Sequence, residues 1–217
     1  MAIYVSASSG GNYPERKPLE AGAYAAVCDM VVDLGVQPSP GGQFAPKRTL
    51  MLRFQIPSER VEITKDGETK SLPAVISRTL GLSLNEKATL RQLLQSWRGR
   101  AFTPEELKKF DLVNVLGKPA FINVTHSVKG DKTYANLTSI MPLPKGMPAP
   151  ALEGEALTYS IDDPDPAMFD KLPNWVQEKI ATRIVDAPVL PKAAPAAKPA
   201  APAQPVNQEF TDDEIAF

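Results

Sequence analysis

Between Lys118 and Met141 lie two aromatic rings, Phe121 and Tyr134, two carboxamides, Asn123 and Asn136, and three lysines, Lys118, Lys129 and Lys132. Aromatic faces stack on flat rings, ammonium groups neutralise phosphates, and amides bond base edges. The chemistry on offer is non-covalent: these groups suit an unpaired nucleic-acid strand. Arg53 and Arg78 are further candidates to meet phosphates, and Phe54 is a third candidate ring. Phe54 qualifies only if it does not share the core parity of Leu50 and Leu52.

Covalent chemistry finds less support. The chain has one histidine, His126, and one cysteine, Cys28, without a paired base or a metal-ligand cluster around either. The glycine pairs lack the strand–loop–helix setting of a phosphate-binding loop. The carboxylates of Asp162-Asp163-Pro164-Asp165 lack the alternating-oxygen pattern of a calcium loop. The expectation is a non-enzymatic protein with no cofactor and no metal. No recognition-helix pattern points to double-stranded DNA.

Elements of alternating pattern must hold these groups. Ile122, Val124 and Val128 alternate with Phe121, Asn123, Thr125 and Ser127, and Lys129-Gly130-Asp131-Lys132 makes a turn. Ala135, Leu137 and Ser139 then alternate with Tyr134, Asn136 and Thr138. Period two puts one set in a core and leaves the other to solvent. Upstream, Ala21 to Val36 reads as a long strand, with Asp29 and Asp33 opposite the parity of Cys28, Met30 and Val32. Leu50 to Ile56 reads as a second strand that Pro57 stops, and Leu72 to Leu82 as a third.

Ser83-Leu84-Asn85-Glu86 has capping-box spacing and predicts a helix start; Leu90, Leu93, Leu94 and Trp97 form its apolar stripe. Trp97 reads as a core anchor. Thr103-Pro104-Glu105-Glu106 repeats the start signal. The predicted fold class is mainly β: a five-stranded OB-type barrel with a helix between strands 3 and 4, plus a disordered C-terminal tail. An SH3-like barrel or a small α+β sheet also fits that order.

Charge divides the chain. Residues 1–150 carry 19 Lys/Arg against 13 Asp/Glu, a net +6, and residues 151–217 carry 5 against 12, a net -7. The expected organisation is an irregular arm over 1–20, a DNA-binding domain over 21–145, and an acidic arm over 146–186 with a short amphipathic helix around Trp175 and Ile180. A linker over 187–206 follows, with eight alanines and six prolines, and then an acidic tip over 207–217. The single cysteine, and an N-terminus without an export-signal pattern, predict a cytoplasmic setting. No run is long enough to span a bilayer.

The ending Asp212-Asp213-Glu214-Ile215-Ala216-Phe217 resembles the acidic tip of bacterial-type single-stranded-DNA-binding proteins. That family carries an OB domain, a linker, and a tip that recruits replication, recombination and repair proteins. The resemblance implies the tip residues Asp212, Asp213, Glu214, Ile215 and Phe217 as a protein-interaction site; Ala216 stands where proline is usual. A second resemblance covers roughly residues 14–145. Leu82-Ser83-Leu84-Asn85-Glu86-Lys87-Ala88-Thr89-Leu90-Arg91, Trp97-Arg98-Gly99-Arg100-Ala101-Phe102-Thr103 and Leu116-Gly117-Lys118-Pro119-Ala120 look like phage-encoded OB-fold DNA-binding proteins. It implies a bacterial host cytoplasm and partners in DNA metabolism. The stacking tryptophans usual in bacterial members are absent. Self-association stays open, and a phage adaptor that captures a host repair protein without strong DNA binding is the alternative.

Overall fold

The computed structural model describes residues 17–185 except 40, 41, 43, 66 and 67. Most of the N-terminal arm, the linker and the tip, Asp212 to Phe217 included, lie outside the described residues, as does the middle of the Lys65–Glu68 turn. Five antiparallel strands form the sheet: β1 (Gly22–Gln37), β2 (Lys47–Lys65), β3 (Glu68–Gly81), β4 (Pro119–Lys129) and β5 (Lys132–Met141). Their spatial order is β3-β2-β1-β4-β5. The sheet curls into an open half-barrel, with α1 (Thr89–Arg98) between the third and fourth strands, an order consistent with an OB-like topology.

The expected closed barrel is not formed. No ladder joins the two outer strands, β3 and β5, among the described residues. Arg78 of β3 reaches across instead and donates to the carbonyls of Leu137 and Thr138 at 2.9 and 2.8 Å.

The concave side holds the main core. Leu50, Leu52, Phe54 and Ile56 of β2 meet Ile122, Val124, Leu137 and Ile140 of the β4–β5 hairpin there. The α1 stripe Leu90, Leu93, Leu94 and Trp97 closes over them. Each such aliphatic side chain contributes about 1.5–3 kcal/mol on burial. Trp97 packs edge-on against Phe54, ring centroids 5.3 Å apart, and its indole N–H donates to the Pro119 carbonyl at 2.9 Å. It is the core anchor its spacing predicts.

Local start signals have mixed outcomes. α1 begins at Thr89 with Ala88 as an unassisted cap, not at Ser83. The Ser83 hydroxyl accepts from the Asn85 N–H and closes a turn instead. The second signal forms a true capping box at α2 (Pro104–Lys108): Thr103 Oγ1 accepts from Glu106 N–H, and Glu106 Oε2 from Thr103 N–H. Pro57 does not stop β2; it sits in an irregularity between Ile56 and Arg60, beyond which the strand continues as a protruding arm.

β1 changes sides partway. Its pairing with β2 slips between Cys28 and Met30, so Asp29 is an extra residue. Ala26, Cys28 and Val31 face the concave core, while Met30, Val32 and Leu34 join a second core on the outer face. One strand thereby serves two layers.

The second layer is built from the acidic segment. A short strand, β6 (Leu157–Tyr159), pairs in parallel with Met30–Val32, followed by α3 (Pro166–Lys171) and α4 (Asn174–Ala181). Leu172, Val176 and Ile180 pack on Met30, Val32, Leu34 and Met51. The second edge of β1 is thus taken in turn by β4, by Gly117 and Lys118 at Cys28, by β6, and by Ile184, whose N–H donates to Val36 at 2.8 Å. This hand-over satisfies backbone groups that would otherwise be orphaned. No helix among the described residues is long and apolar enough to cross a membrane.

Candidate nucleic-acid interface

The outer face of the sheet has a covered half and an open half. Residues 150–185 cover the middle of β1 and β2. Among the described residues the start of β1 and the β4–β5 hairpin carry no such layer.

Register assembles the open half. Phe121 opposes Met141, Asn123 opposes Ser139, Thr125 opposes Asn136, Ser127 opposes Tyr134, and Lys129 opposes Lys132. Directly opposed residues share a face, so all of these lie on one surface. From β1, Ala25 lies beside Phe121 and Ala23 beside Asn123, which gives the ring a shallow, small-residue floor. Phe121 is half-buried between Ala25 and Met141, whereas Tyr134 is 47% exposed.

Polar groups between the rings are partly committed. Asn136 donates to Ser127 Oγ at 2.8 Å and to the Tyr134 carbonyl at 3.1 Å, which leaves its own carbonyl oxygen as an acceptor. Thr138 donates to the Asn123 carbonyl at 3.1 Å, and no side-chain partner holds the Asn123 amide among the described residues. His126 bonds the Leu19 carbonyl at 2.7 Å, which ties the incoming chain to the hairpin and gives the ring a structural role.

The charge pattern is one-sided. Lys129 and Lys132 face each other across the Gly130-Asp131 turn, where Gly130 takes a left-handed φ of 61°. Like charges placed directly opposite cost stability. Lys118, Lys129 and Lys132 have no carboxylate within ion-pair distance among the described residues. Lys132 and Tyr134 are two residues apart on one face, about 7 Å along the strand, the scale that separates a stacked base from its own phosphate.

Three candidates from the sequence lie elsewhere. Phe54 is fully buried against Trp97 and cannot offer a face to a ligand; its parity is that of Leu50 and Leu52. Arg53 is on the outer face but under the second layer, its guanidinium bound to the Asp29 carboxylate at 2.7–3.1 Å and 13% exposed. Arg78 is turned to the concave side and spent on the β5 carbonyls. Seven of the ten nucleic-acid candidates therefore remain on the open hairpin surface and its approach: Lys118, Phe121, Asn123, Lys129, Lys132, Tyr134 and Asn136.

Sequence reasoning passed over Ala23, Ala25 and Met141, which frame Phe121 and carry no chemical signal of their own. It also passed over Phe44, 76% exposed in the connection between β1 and β2. Its signal was an aromatic alone in a Gly/Pro-rich stretch just before Lys47-Arg48. That connection joins the end of β1 to the start of β2, at the opposite end of the sheet from the Lys129–Lys132 turn.

Cys28 is sealed in the core, where burial, and then the Asp29 carboxylate, push its thiol up to about 12. It stays protonated and offers no nucleophile. Among the described residues no group of three or more His, Cys, Asp or Glu side chains is placed to hold a metal. No known protein family's profile matches the chain, and a search of curated proteins finds no relative.

Proposed function

We propose that the chain is a non-enzymatic single-stranded-DNA-binding protein, its half-barrel an OB-type domain and residues 207–217 a recruiting tip. In this reading bases stack on Tyr134 and Phe121, Asn123 and Asn136 meet base edges, and Lys118, Lys129 and Lys132 meet phosphates. Stacking supplies about 1–3 kcal/mol per base, and phosphate neutralisation adds a salt-dependent share. The observation that carries it is the Lys129–Lys132 pair beside Tyr134: cations set against each other with no carboxylate within ion-pair distance among the described residues, next to a ring that is 47% exposed. An anion with a flat ring attached relieves both.

The tip belongs to the proposal on sequence grounds. Three acids, an isoleucine and a terminal phenylalanine suit an apolar pocket ringed by Lys/Arg on a replication, recombination or repair protein. The setting proposed is phage DNA metabolism in a bacterial cytoplasm. The test is a polarisation titration against matched single- and double-stranded oligonucleotides at two salt concentrations. Tighter binding to the single strand, weakening as salt rises, is expected; no binding at low salt would reject the reading.

A further inference from the structure

Arg78 stands between Ile76 and Leu80 in the row of β3 side chains that enters the concave core. It is opposite Leu52, in a position that pattern alone assigns to an apolar residue. Its guanidinium crosses the seam of the half-barrel, and one nitrogen donates to two consecutive carbonyls of β5. Successive carbonyls of a regular strand point to opposite edges. β5 is irregular at this point: Ser139 pairs with Asn123 and Leu137 with Val124, so Thr138 is an extra residue. The irregularity brings the Leu137 and Thr138 carbonyls within reach of one donor. The Thr138 hydroxyl meanwhile bonds back to the Asn123 carbonyl on β4. The bulge and the arginine are thus a matched pair.

We propose that Arg78 is a positioning residue, a latch that takes the place of the absent β3–β5 ladder and holds the β4–β5 hairpin in its binding position. A charge-assisted bond of this kind outweighs a neutral one, and no strand pairs with β5 on that edge among the described residues. The latch acts through the hairpin that carries Tyr134, Asn136 and Lys132, without touching the ligand. The DNA arm of the test rests on the proposed function; the latch itself does not.

The experiment compares the full chain with R78M and R78K. Amide exchange across Lys132–Met141 reports the latch, and titration with a single-stranded oligonucleotide over a salt series reports the site. R78M should exchange about tenfold faster or more in β5, as expected when a hydrogen bond to a charged group is lost. It should bind about tenfold more weakly with an unchanged salt slope. R78K, on a shorter stem, should fall between in both. A direct phosphate contact would instead lower the slope by about 0.7 in R78M, with β5 exchange as in the wild type, and would overturn the latch. If R78M does not fold, R78K decides: intermediate exchange upholds the latch and wild-type exchange overturns it. If no form binds DNA, the wild type included, while β5 exchange still rises, the latch stands and the DNA reading falls.

Discussion

The two halves of the outer sheet face solve opposite problems with the same backbone. On the covered half Met30, Val32, Leu34 and Met51 lie under Leu172, Val176 and Ile180. Three arginines there each have an acid. Arg53 holds Asp29, Arg48 bridges Asp33 and Asp162, and Arg60 meets Glu153 at 2.5 Å. Gln55 pairs its side-chain amide with both backbone groups of Glu153 at 3.0 Å, which staples the acidic segment down. On the open half, rings, amides and lysines have, among the described residues, no covering layer, and Lys118, Lys129 and Lys132 no carboxylate within ion-pair distance. The contrast teaches that net charge is a poor guide here. Arg48 and Arg60 are neutralised by Asp162 and Glu153 of the acidic segment, whereas the three hairpin lysines keep no carboxylate within ion-pair distance among the described residues.

The contrast breaks most readily at Asp29. Its carboxylate is fully buried and anchors both Arg53 and Gln55. D29A should cost about 3–5 kcal/mol, because it leaves a largely buried guanidinium unpaired. Denaturant unfolding measures it. The salt slope of DNA binding by the folded fraction should stay as it was. A stability loss under 1 kcal/mol would show that the covered half does not depend on this pair.

Tyr134→Ala probes the other half. It should weaken oligonucleotide binding by about 1–3 kcal/mol while thermal stability stays near normal, since the ring is half-exposed. A large fall in melting temperature without a binding defect would make Tyr134 a packing residue. Removing the paired lysines, K129A with K132A, should lower the salt slope by about 1.4, two phosphates' worth. It should also relieve repulsion across the turn and leave stability equal or slightly higher. An unchanged slope would remove the lysines from the interface.

The smallest effect is at Glu106, distant from both halves. Hydrogen bonds from Arg100, then from the Thr103 N–H and Arg98, hold its carboxyl down at about 2. A depressed folded-state value stabilises the fold above the ordinary glutamate range and loses that contribution as pH falls toward 2. E106Q should therefore be less stable than the wild type at pH 7 and should flatten the acid limb of the stability profile between about pH 4.5 and pH 2, the two proteins converging at the acid end. The same limb in both proteins would contradict this.

The open half was the more legible half. The hairpin keeps period two from Phe121 to Lys129 and from Lys132 to Leu137, so Phe121, Asn123, Tyr134 and Asn136 could be put on one face from the sequence; the extra residue Thr138 was not legible, and Ser139, read with the core set, opposes Asn123 on the open face. The helix stripe ending in Trp97 and the Thr103 box were equally plain, because both depend on local spacing. The covered half was hidden for physical reasons. The bulge at Asp29 switches the parity of β1, and no alternation pattern marks an inserted residue. β6 is three residues long and parallel, too short for any periodic signal. The acidic segment's carboxylates dominate its sequence, and only the short amphipathic stretch around Trp175 and Ile180 hints at the docking that Leu172, Val176 and Ile180 perform. Arg53 and Arg78, candidates for phosphate contact, are turned to partners within the fold that no local spacing marks: a cation's partner can lie far along the chain, as Leu137 does for Arg78.

The central claim is that single-stranded DNA lies on the open half and not on the covered one. Amide hydrogen exchange of the full chain, with and without a single-stranded oligonucleotide at low salt, tests it directly. Slower exchange should appear across Pro119–Met141 and the start of β1, with residues 150–185 unchanged. Protection confined to 150–185, or none at a saturating oligonucleotide concentration, would contradict the account.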